Sequence, residues 1–492
     1  MSERLPMRKD EVAWVSPNKF LYQELMRPVP MVKSWDSQTQ KVEIETNVTS
    51  IIGGKEDRSF IHNGREFILI SPQGEQFVVP FKYGLGAYMG KLGDNFVFKT
   101  DRRDGFGLVE FFNPNKTEQR PPIDLNGRVV AGAGIKGDFI AVDHSYGTDR
   151  RYSVFDKENK LVGELVLPAG ITAGSLTWIE PGKVANISFT SPIRSGVTLK
   201  WDLSTQVDMA AISQKLHNDG TTQFESHFET VKSADGVEVP MRITAKAGLE
   251  KNGQNPVMIT VYGGFSKPGS MHGASPETMK KIFLDKGGIL VAPAIRGGNE
   301  FGEVWHAQAT GAQNKTKTLE DLISVADYLT AQKYTDSSKI ITMGTSNGGF
   351  VVAAAALKSP NSFGLAIPVA GVHDMLGKER LAIASDWAFE YGDPANPDMY
   401  KMIKEFSPIE FKLNEKPKAE FLLITGRDDT RVNTVHTYKL MKSLKDQNIT
   451  VNMLDMKNAG HWAESPAYQN VIGWRVQSVV WNRIFEFLGI KL

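Results

Sequence analysis

The run Ile340-Ile341-Thr342-Met343-Gly344-Thr345-Ser346-Asn347-Gly348-Gly349-Phe350 sets one serine among glycines, after an apolar stretch and before an Ala- and Val-rich one. The spacing predicts a strand, a tight turn and a helix over 350–357. A serine at such a turn is held in a strained backbone that neighbouring glycines make sterically feasible, and its hydroxyl stands clear of the sheet edge. It also sits at a helix N-terminus, where backbone N–H groups stabilise an oxyanion. The chemistry this suits is nucleophilic attack on a carbonyl.

A nucleophilic serine needs a base, and the base needs a carboxylate to orient it. Residues 419–425 read as a strand that runs into Gly426-Arg427-Asp428-Asp429-Thr430-Arg431-Val432. A helical stretch at 434–445 follows, then a last strand at 449–456 ending in Lys457-Asn458-Ala459-Gly460-His461. The order serine, acid, histidine is that of α/β-hydrolases. An acid and then a histidine, each just past the C-terminal end of a strand, is where open α/β sheets carry their chemistry. His461 is the candidate base, and Asp428 or Asp429 the candidate acid.

The elements needed to position these groups are visible from about residue 229 onward. Strands are expected at 237–244, 256–261 and 288–294, and a helix at 319–329 with Leu319, Leu322, Ile323, Ala326 and Leu329 on one face. Strands and helices then alternate to a closing helix at 471–487. This alternation implies a mostly parallel, doubly wound sheet with helices on both faces.

The first 205 or so residues differ. Short β runs at 94–99, 138–143 and 184–189 recur about 45 residues apart, and a second series at 108–112, 152–156 and 198–202 keeps the same period. Several short strands per unit of that length read as propeller blades. Only about four or five such blades fit the available length. Trp14-Val15-Ser16-Pro17-Asn18-Lys19-Phe20-Leu21-Tyr22 looks like a blade strand already under way. Gly132-Ala133-Gly134-Ile135-Lys136-Gly137 matches a dinucleotide fingerprint, but a strand rather than a helix follows, so a blade-connecting turn is expected.

Composition narrows the function. Lys+Arg 57 against Asp+Glu 56 points away from nucleic-acid or polyanionic partners. The 492 residues contain no cysteine, which excludes disulfides, thiolate metal sites and a cysteine nucleophile and fits a cytoplasmic location. Met1-Ser2-Glu3-Arg4-Leu5-Pro6 has no apolar core of a signal peptide, and no apolar run approaches membrane-spanning length. No Walker loop, H-E-x-x-H or metal-spaced carboxylate cluster occurs, so neither metal nor cofactor is expected.

The C-terminal half resembles the prolyl oligopeptidase family of serine peptidases. The matching motifs are Tyr262-Gly263-Gly264-Phe265, Ile295-Arg296-Gly297-Gly298-Asn299-Glu300-Phe301-Gly302-Glu303-Val304-Trp305-His306, Gly344 to Gly349, Trp387-Ala388-Phe389-Glu390-Tyr391-Gly392, Asp429-Thr430-Arg431-Val432 and Ala459-Gly460-His461. They occur in family order over roughly residues 225–492. The resemblance implies an α/β-hydrolase catalytic domain at 226–492 and an N-terminal all-β propeller domain at 1–225, incomplete against the seven blades of the family. The family spacing D-x-R-V selects Asp429 over Asp428. It also implies an oxyanion hole made by the Tyr262 hydroxyl and the Asn347 N–H, and substrate binding by Arg431 through a peptide carbonyl. Trp387 would stack on a substrate proline in a slot shared with Phe265, Tyr391 and Val432.

The expected function is therefore a serine peptidase cutting short peptides after proline. Family members that cut after Lys or Arg carry acidic residues near Trp387, and Glu390 and Asp393 keep that specificity open. An esterase using the same triad, or a weakly catalytic family member acting by binding, is the alternative. The partner expected is a short peptide, with no nucleic acid and no membrane. A propeller short of blades either closes as a smaller ring or stays an open arc; the open arc is expected, with self-association through its edges and weaker exclusion of long substrates.

Overall fold

The computed structural model describes the backbone of eight strands between residues 12 and 79, and then residues 87–101, 106–194, 196–218, 220–267, 278–377, 387–457, 459–461 and 471–491. The signal-peptide expectation at residues 1–6 lies outside them. By its internal contacts the chain separates into two compact units. One comprises Met1–His144, Ser153–Glu164 and Glu180–Lys183, the other Ser145–Tyr152, Leu165–Ile179 and Val184–Leu492.

Five sheets of consecutive strands form the N-terminal, propeller-like part. The first two are β1 (Val12–Ser16), β2 (Lys19–Glu24), β3 (Met31–Asp36) and β4 (Lys41–Asn47), then β5 (Ser50–Ile52), β6 (Ser59–His62), β7 (Phe67–Ile70) and β8 (Gln76–Val79). The third contains β9 (Ala87–Leu92), β10 (Asn95–Asp101), β11 (Gly107–Phe112) and β12 (Ile123–Asp124). The fourth contains β13 (Val129–Lys136), β14 (Phe139–Tyr146), β15 (Asp149–Phe155) and β16 (Leu161–Leu167). The fifth has three strands, β17 (Thr172–Glu180), β18 (Val184–Thr190) and β19 (Val197–Asp202).

The period read from the sequence is the repeat of the second strand of each sheet: β10, β14 and β18. In β18, Ala185, Ile187 and Phe189 are buried and alternate with half-buried neighbours, the period-2 pattern of a pleated strand. The glycine-rich run at 132–137 differs from expectation. It lies almost wholly inside β13, and the turn is only Gly137-Asp138, with Gly137 at φ 64°. A strand paired to β14 leaves no helix N-terminus to cradle a phosphate, which disposes of the dinucleotide reading on physical grounds.

After α1 (Met209–Leu216), the rest of the chain builds one eight-stranded sheet. Its strands are β20 (Phe224–Lys232), β21 (Glu238–Lys246), β22 (Val257–Thr260), β23 (Ile289–Pro293), β24 (Ile340–Thr345), β25 (Leu365–Val369), β26 (Glu420–Gly426) and β27 (Val451–Met456), in the order β20-β21-β23-β22-β24-β25-β26-β27. β20, β21 and β23 pair antiparallel and the remainder parallel. The helices are α2 (Thr278–Asp285), α3 (Glu303–Ala307), α4 (Thr316–Ala331), α5 (Asn347–Lys358), α6 (Ala388–Tyr391), α7 (Pro397–Lys404), α8 (Val435–Asp446) and α9 (Val471–Phe487). Among the described residues no helix is long and apolar enough to cross a membrane.

Side-chain alternation along the central strands feeds two cores, one on each face. Val257, Ile259, Ile340, Phe421 and Leu423 join the apolar stripe of α4, residues 350–357 of α5, and Leu440 and Leu444 of α8. Met258, Ile341, Leu422 and Ile424 face the other way, toward Phe283 of α2 and Trp481, Ile484 and Phe485 of α9. Each such side chain contributes about 1.5–3 kcal/mol on leaving water. β22 is followed in sequence by β23 on one side, whereas β24 lies on its other side. The strand order therefore reverses between β22 and β24, and an open α/β sheet binds its ligands beyond the C-terminal ends of the strands at such a point.

Candidate active site

Ser346 occupies that point. It is the residue between β24 and α5, with φ 60° and ψ −118°, and its N–H donates to the Val369 carbonyl at 2.8 Å. The left-handed backbone is uncommon for a residue with a side chain and marks stored strain. Space around the turn is closed: a Cβ on Gly348 would lie 2.4 Å from the Val261 carbonyl oxygen, and one on Gly344 would lie 2.5 Å from the Gly348 backbone. The glycines are needed less for their own φ than because α5 passes against the end of β22.

His461 follows β27 and Asp429 follows β26. His461 Nδ1 lies 2.7 Å from Asp429 Oδ2, and both side chains are buried. The other oxygen, Asp429 Oδ1, accepts from the backbone N–H groups of Arg431 and Val432, both at 2.8 Å. The carboxylate is thus fixed from both sides. The side chain of Asp428, the neighbouring candidate, is exposed, while its backbone N–H donates to the Ala459 carbonyl at 2.9 Å. The two loops press on each other: a Cβ on Gly426 would come within 2.3 Å of the Ala459 carbonyl oxygen.

Tyr262 follows β22, whose parallel neighbour β24 leads to Ser346, so the two residues emerge at the same end of the sheet. Burial, and then the negative charge of Glu390, push the phenol above its ordinary range, so it stays a neutral donor. Asn347 is fully buried. Its side-chain amide donates to the Tyr262 carbonyl at 2.6 Å and its Oδ1 accepts from the Tyr391 hydroxyl at 2.9 Å. Asn347 is the first residue of α5, and the first N–H groups of a helix have no acceptor within it.

Phe265, Trp387 and Tyr391 come together as a ring cluster. Phe265 lies edge-on to Trp387 at 6.4 Å and to Tyr391 at 5.7 Å, and Trp387 to Tyr391 at 6.3 Å. Phe265 itself has φ 58°. Tyr391 and Val432 are buried, while Trp387 and Phe265 are half-buried, so part of each ring is open to a ligand. Arg431 is exposed, and among the described residues its guanidinium makes no ion pair with Asp428 or Asp429.

Three features escaped the sequence reading. Phe389 is 59% exposed and packs edge-on against Phe265 at 5.7 Å, adding a ring to the cluster. Its only signal is an aromatic residue two places after Trp387. Glu390 is fully buried, held by Lys315 at 2.5 Å and by His306 at 2.7 Å. A carboxylate so compensated is not a receptor for a substrate cation, and Asp393, which is exposed, caps the following turn through Ala395 N. Arg296, for which the sequence suggested no role, is buried and pairs with Asp321 at 2.7 Å and Asp235 at 2.6 Å.

The elbow serine on a doubly wound, mostly parallel sheet defines an α/β-hydrolase domain. More narrowly, the chain carries a prolyl oligopeptidase family domain, matched over residues 276–477. It is 32% identical over 323 residues to a prolyl endopeptidase of Elizabethkingia miricola, covering 65% of this chain and 45% of that enzyme. It is 30% identical over 365 residues to prolyl oligopeptidase A of Galerina marginata, covering 73% of this chain and 45% of that protein. The chain thus spans less than half the length of these curated relatives. Among solved structures, one from a study of two prolyl endopeptidases superposes with a TM-score of 0.79 at 20% identity, covering 99% of this chain and 77% of that one. Prolyl oligopeptidase B of Galerina marginata gives 0.75 at 21% identity, covering 99% of this chain and 73% of that one. At these identities the structures speak for the fold.

Proposed function

We propose that the chain is a serine peptidase that cleaves short peptides after proline through Ser346, His461 and Asp429. The observation that carries this reading is the 2.7 Å contact between His461 Nδ1 and Asp429 Oδ2 at the sheet end where Ser346 forms the elbow. With its proton on Nδ1, the imidazole presents Nε2 as a base. Ser346 Oγ attacks the peptide carbonyl, His461 takes the proton and returns it to the leaving amine, and water then releases the acyl group by the reverse route. The Tyr262 hydroxyl and the Asn347 N–H receive the oxyanion, and losing one such donor costs about 10²–10³ in turnover.

Proline specificity is supported by the ring cluster and by the relatives named prolyl endopeptidase. Phe265, Trp387, Tyr391 and Val432 offer a flat apolar slot suited to a pyrrolidine ring, each aromatic contact adding about 0.5–1.5 kcal/mol beyond area burial. Arg431, exposed beside the site, supplies paired donors for a substrate carbonyl. Self-association belongs to the same reading, because sheet edges offer unpaired backbone groups to a second chain.

The test is a panel of chromogenic proline amides, arginine amides and simple esters, run on the parent and on Ser346→Ala. Hydrolysis of the proline amides, lost by several orders of magnitude in Ser346→Ala together with fluorophosphonate labelling, is the expected result. Labelling that survives the substitution would place the nucleophile elsewhere. A preference for esters or arginine amides would overturn the substrate reading.

A further inference from the structure

The turn that carries Tyr262 and the helix that carries the ring cluster are fastened to the same buried charges. Lys315 Nζ donates to Glu390 Oε1 at 2.5 Å and to the Gly263 carbonyl at 3.4 Å, and it lies 5.4 Å over the Tyr391 ring. Glu390 Oε2 is 2.7 Å from His306 Nε2, and His306 Nδ1 is 2.5 Å from Glu303 Oε1. The Lys315 and Glu390 side chains are wholly buried, His306 nearly so, and only Glu303 reaches solvent. Backbone packing adds to the junction. Gly311 N donates to the Glu390 carbonyl at 3.0 Å, and a Cβ on Gly392 would lie 2.7 Å from the Ala312 side chain.

We propose that the Lys315–Glu390–His306 cluster is a positioning device that holds the oxyanion tyrosine and the proline-pocket helix in catalytic register, and that its charge state sets turnover. The proposal rests on the serine-peptidase reading above. None of the three residues is assigned contact with the substrate. Glu390 belongs to α6, between the pocket residues Trp387 and Tyr391, while Lys315 grips the residue after Tyr262. Losing either partner would leave the other as an uncompensated buried charge, a costly state that the backbone relieves by moving. The moving parts would be the oxyanion turn and α6.

The charge count makes the device pH-sensitive. The groups facing His306 are Glu303 on its own helix and Glu390 on α6, with Lys315 beyond Glu390. Burial alone lowers its pKa, but the hydrogen bonds and charges of Glu303 and Glu390 outweigh that and carry it up to about 9. Protonated, it balances two carboxylates with two cations. Once it loses that proton, one negative charge is left beside Tyr262.

The test uses Glu390→Gln, which keeps size and hydrogen-bonding capacity but removes the charge, and His306→Gln. Both are compared with the parent in the rate of fluorophosphonate labelling at Ser346, and in kcat and KM on a proline amide, across the range in which His306 deprotonates. The expected result is a loss of about tenfold or more in labelling rate and kcat for Glu390→Gln, with a smaller change in KM, as for a perturbed oxyanion donor. His306→Gln should abolish the alkaline fall in rate expected of the parent, and Lys315→Arg should retain most of the activity that Lys315→Met loses. If both glutamine variants label at the parent rate and keep the alkaline fall, the proposal is overturned, even where their unfolding temperatures fall. A parent that labels normally but ignores proline amides would remove the proline reading alone, while the labelling arm still decides the cluster's role. A parent that does not label at all would remove both.

Discussion

The Tyr391 hydroxyl donates a 2.9 Å hydrogen bond to Asn347 Oδ1, across the buried interface between the pocket helix and the nucleophile elbow. The Asn347 amide continues to the Tyr262 carbonyl. One side chain therefore joins the ring cluster, the elbow and the oxyanion turn, so a ligand that shifts Tyr391 is felt at both ends of the reacting carbonyl.

Tyr391→Phe should leave the buried Asn347 oxygen without its donor. The expected cost is about 1–3 kcal/mol in unfolding free energy, the usual range for an orphaned buried acceptor. Turnover should fall more than KM rises. Urea denaturation and steady-state kinetics read the two effects, and an unchanged midpoint would mean that the bond contributes nothing.

Trp387→Ala should raise the barrier for a proline amide by about 1–3 kcal/mol, the range for removing apolar contacts from a specificity slot. A small ester that never fills the slot should be hydrolysed almost as before. Equal losses on both substrates would make Trp387 a packing residue and remove the main support for proline recognition.

Gly348→Ala places a methyl group 2.4 Å from the Val261 carbonyl oxygen. Backbone faces backbone there, so no side chain can swing aside. The variant should be destabilised by about 1–3 kcal/mol or more, as overpacked sites are, and should lose labelling at Ser346. A thermal melt identical to the parent's would show that α5 can back away from β22.

Acid should destabilise the hydrolase unit through His373 and His436, both buried. Burial, and then the nearby His436, depress His373 to about 3, and neither of its ring nitrogens has a hydrogen-bond partner among the described residues. Burial brings His436 to about 4, Asp374 and Asp429 opposing that shift and Lys439 adding to it. The unfolded chain binds protons to both near the ordinary histidine value of 6.5, whereas the folded chain refuses them until far lower pH. Stability is therefore full above that value and is lost as pH falls toward the folded values, with several kcal/mol at stake at about 1.4 kcal/mol per unit. Urea melts over that range should show the loss, and His373→Met should flatten it. An unchanged slope in the variant would locate the acid sensitivity elsewhere.

Much of the hydrolase sheet was legible because its strands are buried on both faces and read as unbroken apolar runs. The closing helix also matched its expected span, 471–487. β20 was missed because only Phe224 and Val231 of its nine residues are buried, so an edge strand left a mostly polar trace. β25 was hidden by Pro368, a residue that argues against a central strand. The buried charges had no readable signature: Lys315 and His306 lie 75 and 84 positions from Glu390 in the chain. Seen in sequence alone, a compensated carboxylate looks the same as one waiting for a substrate cation.

Every residue of α5 from Asn347 to Leu357 is buried, so no turn of that helix can fray into water without exposing the core on that face of the sheet. Its amides should therefore exchange with deuterium only when the whole unit opens, at the global unfolding free energy. The nucleophile then has no private, low-energy route to disorder. Inactivation by heat and loss of fold should coincide, and residual labelling of Ser346 would serve as a direct count of folded molecules.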